Sequence, residues 1–209
     1  MIRNIALFVI VLATIAAVVG AQEGDRKAVQ RETSARPAML TASHPLILQE
    51  ADGEQLIHTS GPLSGLPFII KVDSENGNAQ DFFVFTETLP PGQTIPFHKH
   101  HNAEEILILE EGGATVMVGD KWAVTGPRSI TFIPRDTWIS ATNKGKQAIH
   151  VISIFSRQGF ERYLRSIGAK PGTPVSPVSP DELPRLRELG HATYWDTSKG
   201  PYPPGVAHP

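Results

Sequence analysis

The sequence has 209 residues, of which 40% are hydrophobic, with a formal net charge of -2 and no cysteine. That length suits one domain with attachments and a real buried core, and the balanced charge offers no basic excess to attract nucleic acid or anionic lipid. Without cysteine there is neither a disulfide framework nor a thiolate site, so any bound metal must use nitrogen and oxygen donors.

Residues 1–21 hold one charge, Arg3, an apolar run from Ile5 to Val19, and the small residues Val19-Gly20-Ala21. This is the pattern of a secretory signal peptide cut after Ala21. An uncleaved anchor is the alternative, because the run falls only slightly short of the roughly 20 residues of a spanning helix. In either case the protein is expected to be exported, to the periplasm or the exterior. Cleavage would leave no membrane contact, and no cysteine stands at the cut to take a lipid. Residues 22–42 are polar and aperiodic, as in a flexible arm.

Short apolar segments follow at Leu46 to Gln49, Gln55 to Thr59, Phe68 to Val72 and Phe82 to Thr88, separated by turn formers such as Asp52-Gly53, Gly61-Pro62 and Asn76-Gly77-Asn78. They predict antiparallel strands. His44 and His58 read here as surface or strand-edge histidines. Pro90-Pro91-Gly92 then ends one strand and starts the stretch richest in chemistry, Gly92 to Gly112.

His98 and His100 are two apart, so on a strand both imidazoles leave the same face. After the break His101-Asn102-Ala103, Glu105 opens the apolar run Ile106 to Leu109, which reads as the returning strand of a hairpin. Two neutral imidazoles and one carboxylate suit a divalent ion such as Fe(II), Mn, Co, Ni or Zn and leave coordination positions open. Glu104 is the alternative carboxylate. Leu107 shares the parity of Glu105 and is expected to line the pocket. His101 is expected to face the opposite side of its strand, and so is His150, since a hairpin centred near Gly145 would pair Ile139 with about Val151.

Downstream, Ala114 to Val118 and Lys121 to Thr125 flank Gly119-Asp120; further strands run from Ser129 to Ile133, from Asp136 to about Asn143, and from Ala148 to Phe155. Many short strands with no long helix between them predict an all-β sandwich or barrel. Phe160, Tyr163, Leu164 and Ile167 share one helical face, expected to pack on the outside of the barrel, with Gly168 as the stop. Residues 169–209 form a Pro-rich tail. Within it Ser179-Pro180-Asp181-Glu182 resembles a helix start, opposed by Pro184, and Tyr194 and Trp195 are its candidate anchors, on the barrel or on a partner subunit.

Gly92, five residues, His98-Lys99-His100, four residues, Glu105, six residues and Gly112 resemble the first motif of the cupin superfamily position by position. The ending of the barrel resembles single-domain, quercetin dioxygenase-like cupins, and the resemblance runs from about Leu46 to Gly168. It implies a double-stranded β-helix, or jelly-roll, over residues 43–168, with one divalent metal ion on His98, His100 and Glu105. A second cupin motif is recognisable in Gly126, Pro134 and Asn143, but Asp136 replaces its glycine and Ile139 the histidine that usually supplies a fourth ligand. In this register Phe97, Trp138 and Ile139 shape the pocket. The resemblance implies a small-molecule ligand or substrate, dioxygenase-like chemistry or a non-catalytic binding or sensing role on a degenerate site, and homodimers paired through strands.

Overall fold

A computed structural model of the chain describes residues 42–206. The signal peptide expected at 1–21, and the arm expected at 22–42 apart from Ala42, lie outside the described residues. The described strands are β1 (Glu54–His58), β2 (Pro67–Val72), β3 (Phe83–Leu89), β4 (Thr94–His100), β5 (Glu105–Glu111), β6 (Ala114–Val118), β7 (Lys121–Thr125), β8 (Ser129–Ile133), β9 (Ile139–Thr142), β10 (Ile149–Phe155), β11 (Gly168–Ala169) and β12 (Ala192–Tyr194). Two short helices, α1 (Phe160–Ser166) and α2 (Leu183–Leu189), complete the regular structure with a 3-10 turn at Thr197–Lys199. Among the described residues no helix is long and apolar enough to cross a membrane.

The strands form a seven-stranded sheet, in the order β11-β1-β2-β3-β10-β5-β8, and a five-stranded sheet, β12-β4-β9-β6-β7. This is the expected all-β jelly-roll. Alternation of side chains builds it: β10 buries Ile149, Val151, Ser153 and Phe155, with the residues between them half-exposed. The inward residues form two clusters. One is rich in aromatic rings, with Phe68, Phe83, Phe85, Phe155, Phe160 and Tyr163 among aliphatic neighbours. The other is aliphatic, around Leu89, Leu107, Leu109, Ile133, Ile139, Ile149 and Val151.

The structure corrects several expectations. Leu46 to Gln49 is not a strand. Ile47 is 91% exposed, and the segment is held instead by turn contacts, His44 N–H to the Gly77 carbonyl and Gln49 N–H to the Asp52 carboxylate. β4 and β5 are not hairpin partners: β4 pairs with β9 and β12, whereas β5 pairs with β10 and β8. The link between them crosses from one sheet to the other. β9 and β10 likewise lie in different sheets, so Ile139 pairs with His98 and Val118 and not with Val151.

α1 packs over the barrel mouth and reaches the interior, with the Phe160 ring centroid 4.5 Å from that of His100. Arg165 ties this helix down with ion pairs to Glu54 (2.7 Å) and to the fully buried Asp73 (2.6 Å). The Pro-rich segment leads into α2, which does form, with proline in its first turn where the missing N–H costs nothing. β12 follows and adds to the free edge of β4, in the register Ala192 to His100 and Tyr194 to His98. At Gly190 an added Cβ would lie 2.5 Å from the Tyr163 Cβ, so only glycine lets the end of α2 sit this closely on α1. The tail is thus part of the barrel.

Candidate metal centre

Alternation along β4 sends His98 and His100 to the interior, and the crossing from His101 to Glu104 delivers Glu105 to the inner face of the opposite sheet. All three are buried, and one ligand atom from each lies within 4.8 Å of the others. The loop ends are fixed by residues of the two motifs. Gly112 has φ 73°, and a Cβ there would meet Ile149 Cγ2 at 2.4 Å. Asp136 takes up the left-handed backbone (φ 56°) at the position where the second motif has glycine, and its N–H donates to the His100 carbonyl at 2.8 Å. Asn143 donates from Nδ2 to the Leu89 and Gln147 carbonyls at 2.9 and 2.8 Å, tying the neighbouring loops together.

The donor set fits a cation. His98 Nδ1 lies 2.7 Å from the Pro96 carbonyl; since a carbonyl only accepts, Nδ1 carries the proton and Nε2 is left with a free lone pair. His100 Nε2 and Glu105 Oε2 face each other at 3.6 Å, and both are buried without a hydrogen-bond partner. Leaving such atoms unsatisfied costs about 1–3 kcal/mol each, and a shared ion would satisfy both. Burial lowers the pKa of His98, opposed by its hydrogen bond to Pro96 and by the charge of Glu87. Burial holds His100 well below the usual histidine range, with the charges of His98 and His101 acting the same way. Both imidazoles are therefore neutral donors near pH 7. Burial pushes Glu105 up to about 7, against the hydrogen bond from Ser153 and aided by the charge of Glu87. Its proton competes with a metal.

The cluster borders a cavity of ≈ 400 Å³ with walls that include Phe85, Leu107, Phe155, Phe160 and Tyr194. A second polar pair lines the same cavity from the seven-stranded sheet: His58 Nε2 stands 3.6 Å from Glu87 Oε2, both side chains are buried, and His58 Nε2 has no hydrogen-bond partner. The His58 ring packs on Phe68 at 4.4 Å between centroids.

His98, His100, Glu105 and Leu107 are thus brought together, but the other pocket residues expected from the sequence are not at the cavity. Phe97 alternates outward from His98, and its ring meets Trp122 at 6.3 Å and Tyr202 at 5.7 Å. Trp138 also lies off the cavity, with its ring 6.3 Å from Trp195 and Lys99 Nζ 5.3 Å above it. Ile139 is fully buried in the aliphatic cluster, across from His98. Glu104 is exposed, its N–H bonded to the Ser156 hydroxyl. His101 turns outward to Asp136 and Thr193, and His150 pairs with Glu110. His44 is exposed.

Four residues of the cavity walls that bear on its chemistry, His58, Glu87, Ser153 and Arg187, are not among the expected site residues. His58 is 4% exposed and not a surface residue; its parity with Leu56 was the available signal, as parity with Phe83 and Phe85 was for Glu87. Ser153 has the same parity as Val151 and Phe155. The remaining one, Arg187, had no local signal, because α2 comes to the site by packing on α1 and through β12, both distant in the chain from the metal ligands.

Residues 85–155 match the family model of the cupin domain, Cupin_2. No curated protein matches the sequence. Similar solved structures include TT1209 from Thermus thermophilus, 18% identical over 44% of this chain and 83% of that one, with a TM-score of 0.40. A predicted oxalate decarboxylase from Thermotoga maritima is 16% identical over 54% and 99%, with a TM-score of 0.48. A sugar phosphate isomerase from a cupin superfamily, from Silicibacter pomeroyi, is 18% identical over 55% and 77%, with a TM-score of 0.47. The matched segment contains His98, His100, Glu105, Glu87 and Ser153, leaves out His58, Arg187 and Tyr194, and with the two-sheet architecture supports placing this barrel in the cupin superfamily.

Proposed function

We propose that this chain is an exported cupin that holds one divalent ion on His98, His100 and Glu105 and carries out oxygenase-type chemistry there on a small organic molecule. The observation that carries the reading is the convergence of three buried donors within 4.8 Å, two of which, His98 and Glu105, line a cavity walled in part by aromatic rings. Fe(II), Mn, Co, Ni and Zn all suit this donor set. When bound, the ion supplies a Lewis-acid or redox centre for substrate oxygens. The protein's own residues do the rest. The Pro96 carbonyl fixes the His98 tautomer, and Ser153 orients the Glu105 carboxylate. The aromatic walls exclude water, and the His58–Glu87 pair can hold a proton at His58 Nε2 facing the same space. Export rests on the signal-like pattern of residues 1–21. Pairing of two copies is supported by the edge strand β8, where Ile130 is 70% and Phe132 56% exposed.

The competing reading is a binding or sensing cupin without catalysis. One observation favours it: Ile139 occupies, within a packed aliphatic cluster, the position where a fourth imidazole is expected. Elemental analysis of purified wild type, His98→Ala and His100→Ala tests the metal. About one equivalent in wild type, falling at least about tenfold in each variant, is expected; equal metal content in all three overturns both readings. Dioxygen uptake by the metal-loaded protein with small organic acids and phenols then separates them. Binding of such a compound without uptake selects the sensing role.

A further inference from the structure

We propose that Arg187 anchors the carboxylate of the ligand, so that the cavity takes a compact monoanionic acid with an apolar or aromatic body. This deepens the proposed function and rests on the metal centre described above. Among the described residues lining the cavity, Arg187 is the sole Lys or Arg. Its Nε is buried with no hydrogen-bond partner, and among the described residues no ion pair with a carboxylate satisfies the guanidinium. A guanidinium presents a planar fork of donors that matches a carboxylate. Here it is preorganised by the face of Tyr194, 4.6 Å from Arg187 Cζ to the ring centroid. Tyr194 in turn stacks on the ligand histidine His98 at 5.1 Å and 17°. The guanidinium therefore stands no more than about 10 Å from the His98 ring.

A small aromatic acid fits within that limit, with its carboxylate on Arg187 and a second oxygen at the metal. One cation matches one negative charge; Glu87 and Asp196 on the same walls oppose a dianion such as a phosphate monoester. Apolar and aromatic groups make up the larger part of the remaining surface, beside the hydroxyls of Ser60, Ser153 and Thr197, which favours a hydrocarbon body over a sugar. Arg187 lies outside the segment matched by the family model. It reaches the site because Leu186 is buried against the aromatic cluster and β12 completes the sheet edge beside His98.

The test is calorimetric titration of the full-length protein loaded with Co(II), using 4-hydroxybenzoate, 4-hydroxyphenylacetate and 4-hydroxycinnamate, each beside its uncharged amide. Wild type is expected to prefer at least one acid over its amide, and Arg187→Gln to lose about 10–100-fold in affinity for that acid with the amide unchanged. Arg187→Lys, which keeps the charge without the fork, should fall between the two. Melting temperature and cobalt content are recorded for every variant. No acid bound more tightly than its amide, or an acid bound equally by wild type and Arg187→Gln, overturns the proposal. If wild type takes up no Co(II) and still binds the acid in an Arg187-dependent way, the anchor stands and the metal reading fails. If Co(II) is held but Arg187 makes no difference, only the anchor fails.

Discussion

The two ends of the barrel interior follow the same rule of alternating inward side chains but have opposite fillings. At the aliphatic end Leu89, Leu109, Ile133, Ile139 and Val151 are each no more than 1% exposed and carry no side-chain polar atom. At the aromatic end Phe85, Phe155 and Phe160, with Phe83 packed behind them, border a cavity that has His58, Glu87, His98 and Glu105 in its walls and His100 buried beside it. Large flat side chains held at the rim by α1 and β12 leave room that branched aliphatics close up. One end therefore stabilises the fold, and the other holds charge and polar groups that water would otherwise solvate. The boundary passes between His98 and Ile139, cross-strand neighbours with different roles.

The largest effect should come from emptying the closed end. Leu109→Ala is expected to cost about 3–5 kcal/mol in chemical denaturation, with metal content per folded molecule unchanged. A loss of metal there would show that the two ends are not separable.

The next effect is set by pH at the open end. Burial raises Glu105 from 4.5 to about 7. Its contribution to the stability of the metal-free protein is thus complete below 4.5 and is lost as pH rises through 7, a change of about 3 kcal/mol. The lowered histidines act in the other direction, contributing above 6.5 and losing that contribution as pH falls below it. Those contributions cancel when wild type is compared with Glu105→Gln. The melting temperature of metal-free wild type minus that of Glu105→Gln should fall between about pH 4.5 and 8, and adding a divalent ion to wild type should recover the loss. A difference that does not change with pH would mean that burial does not raise Glu105 in the folded protein.

A smaller effect is expected from carrying the polar end across the boundary. Ile139→His places an imidazole across from His98 and should tighten metal binding about tenfold by isothermal titration, since a fourth donor completes the set. Unchanged affinity would mean that β9 cannot turn its side chain to the ion. Smallest of all, His101→Ala should alter neither metal affinity nor stability by more than about 0.5 kcal/mol, because its pairing with Asp136 is exposed. A large loss of metal would place a third imidazole of this strand in the centre.

Much of this was legible in the chain. The spacing of His98, His100 and Glu105 and the alternation within most strands are local patterns, and a period of two decides which side chains share a face whatever the partner strand is. The left-handed turn at Asp136 was readable from the second motif, where Asp stands in place of a glycine. Pairing is another matter. Adjacent strands read naturally as hairpins, yet β4 and β5 cross between sheets, and the same misreading assigned Val151 to Ile139. Phe97 and Trp138 were misplaced because motif neighbours in sequence were taken for neighbours in space.

From its sequence alone, this protein determined which residues can ligate a metal and which face of each strand they occupy, since both follow from side-chain chemistry and backbone periodicity. Tertiary structure decided which sheet each strand joins, that α1 caps the cavity, and that the tail brings Arg187 and Tyr194 beside His98. Those choices depend on burying apolar surface between segments far apart in the chain, and no local pattern records them.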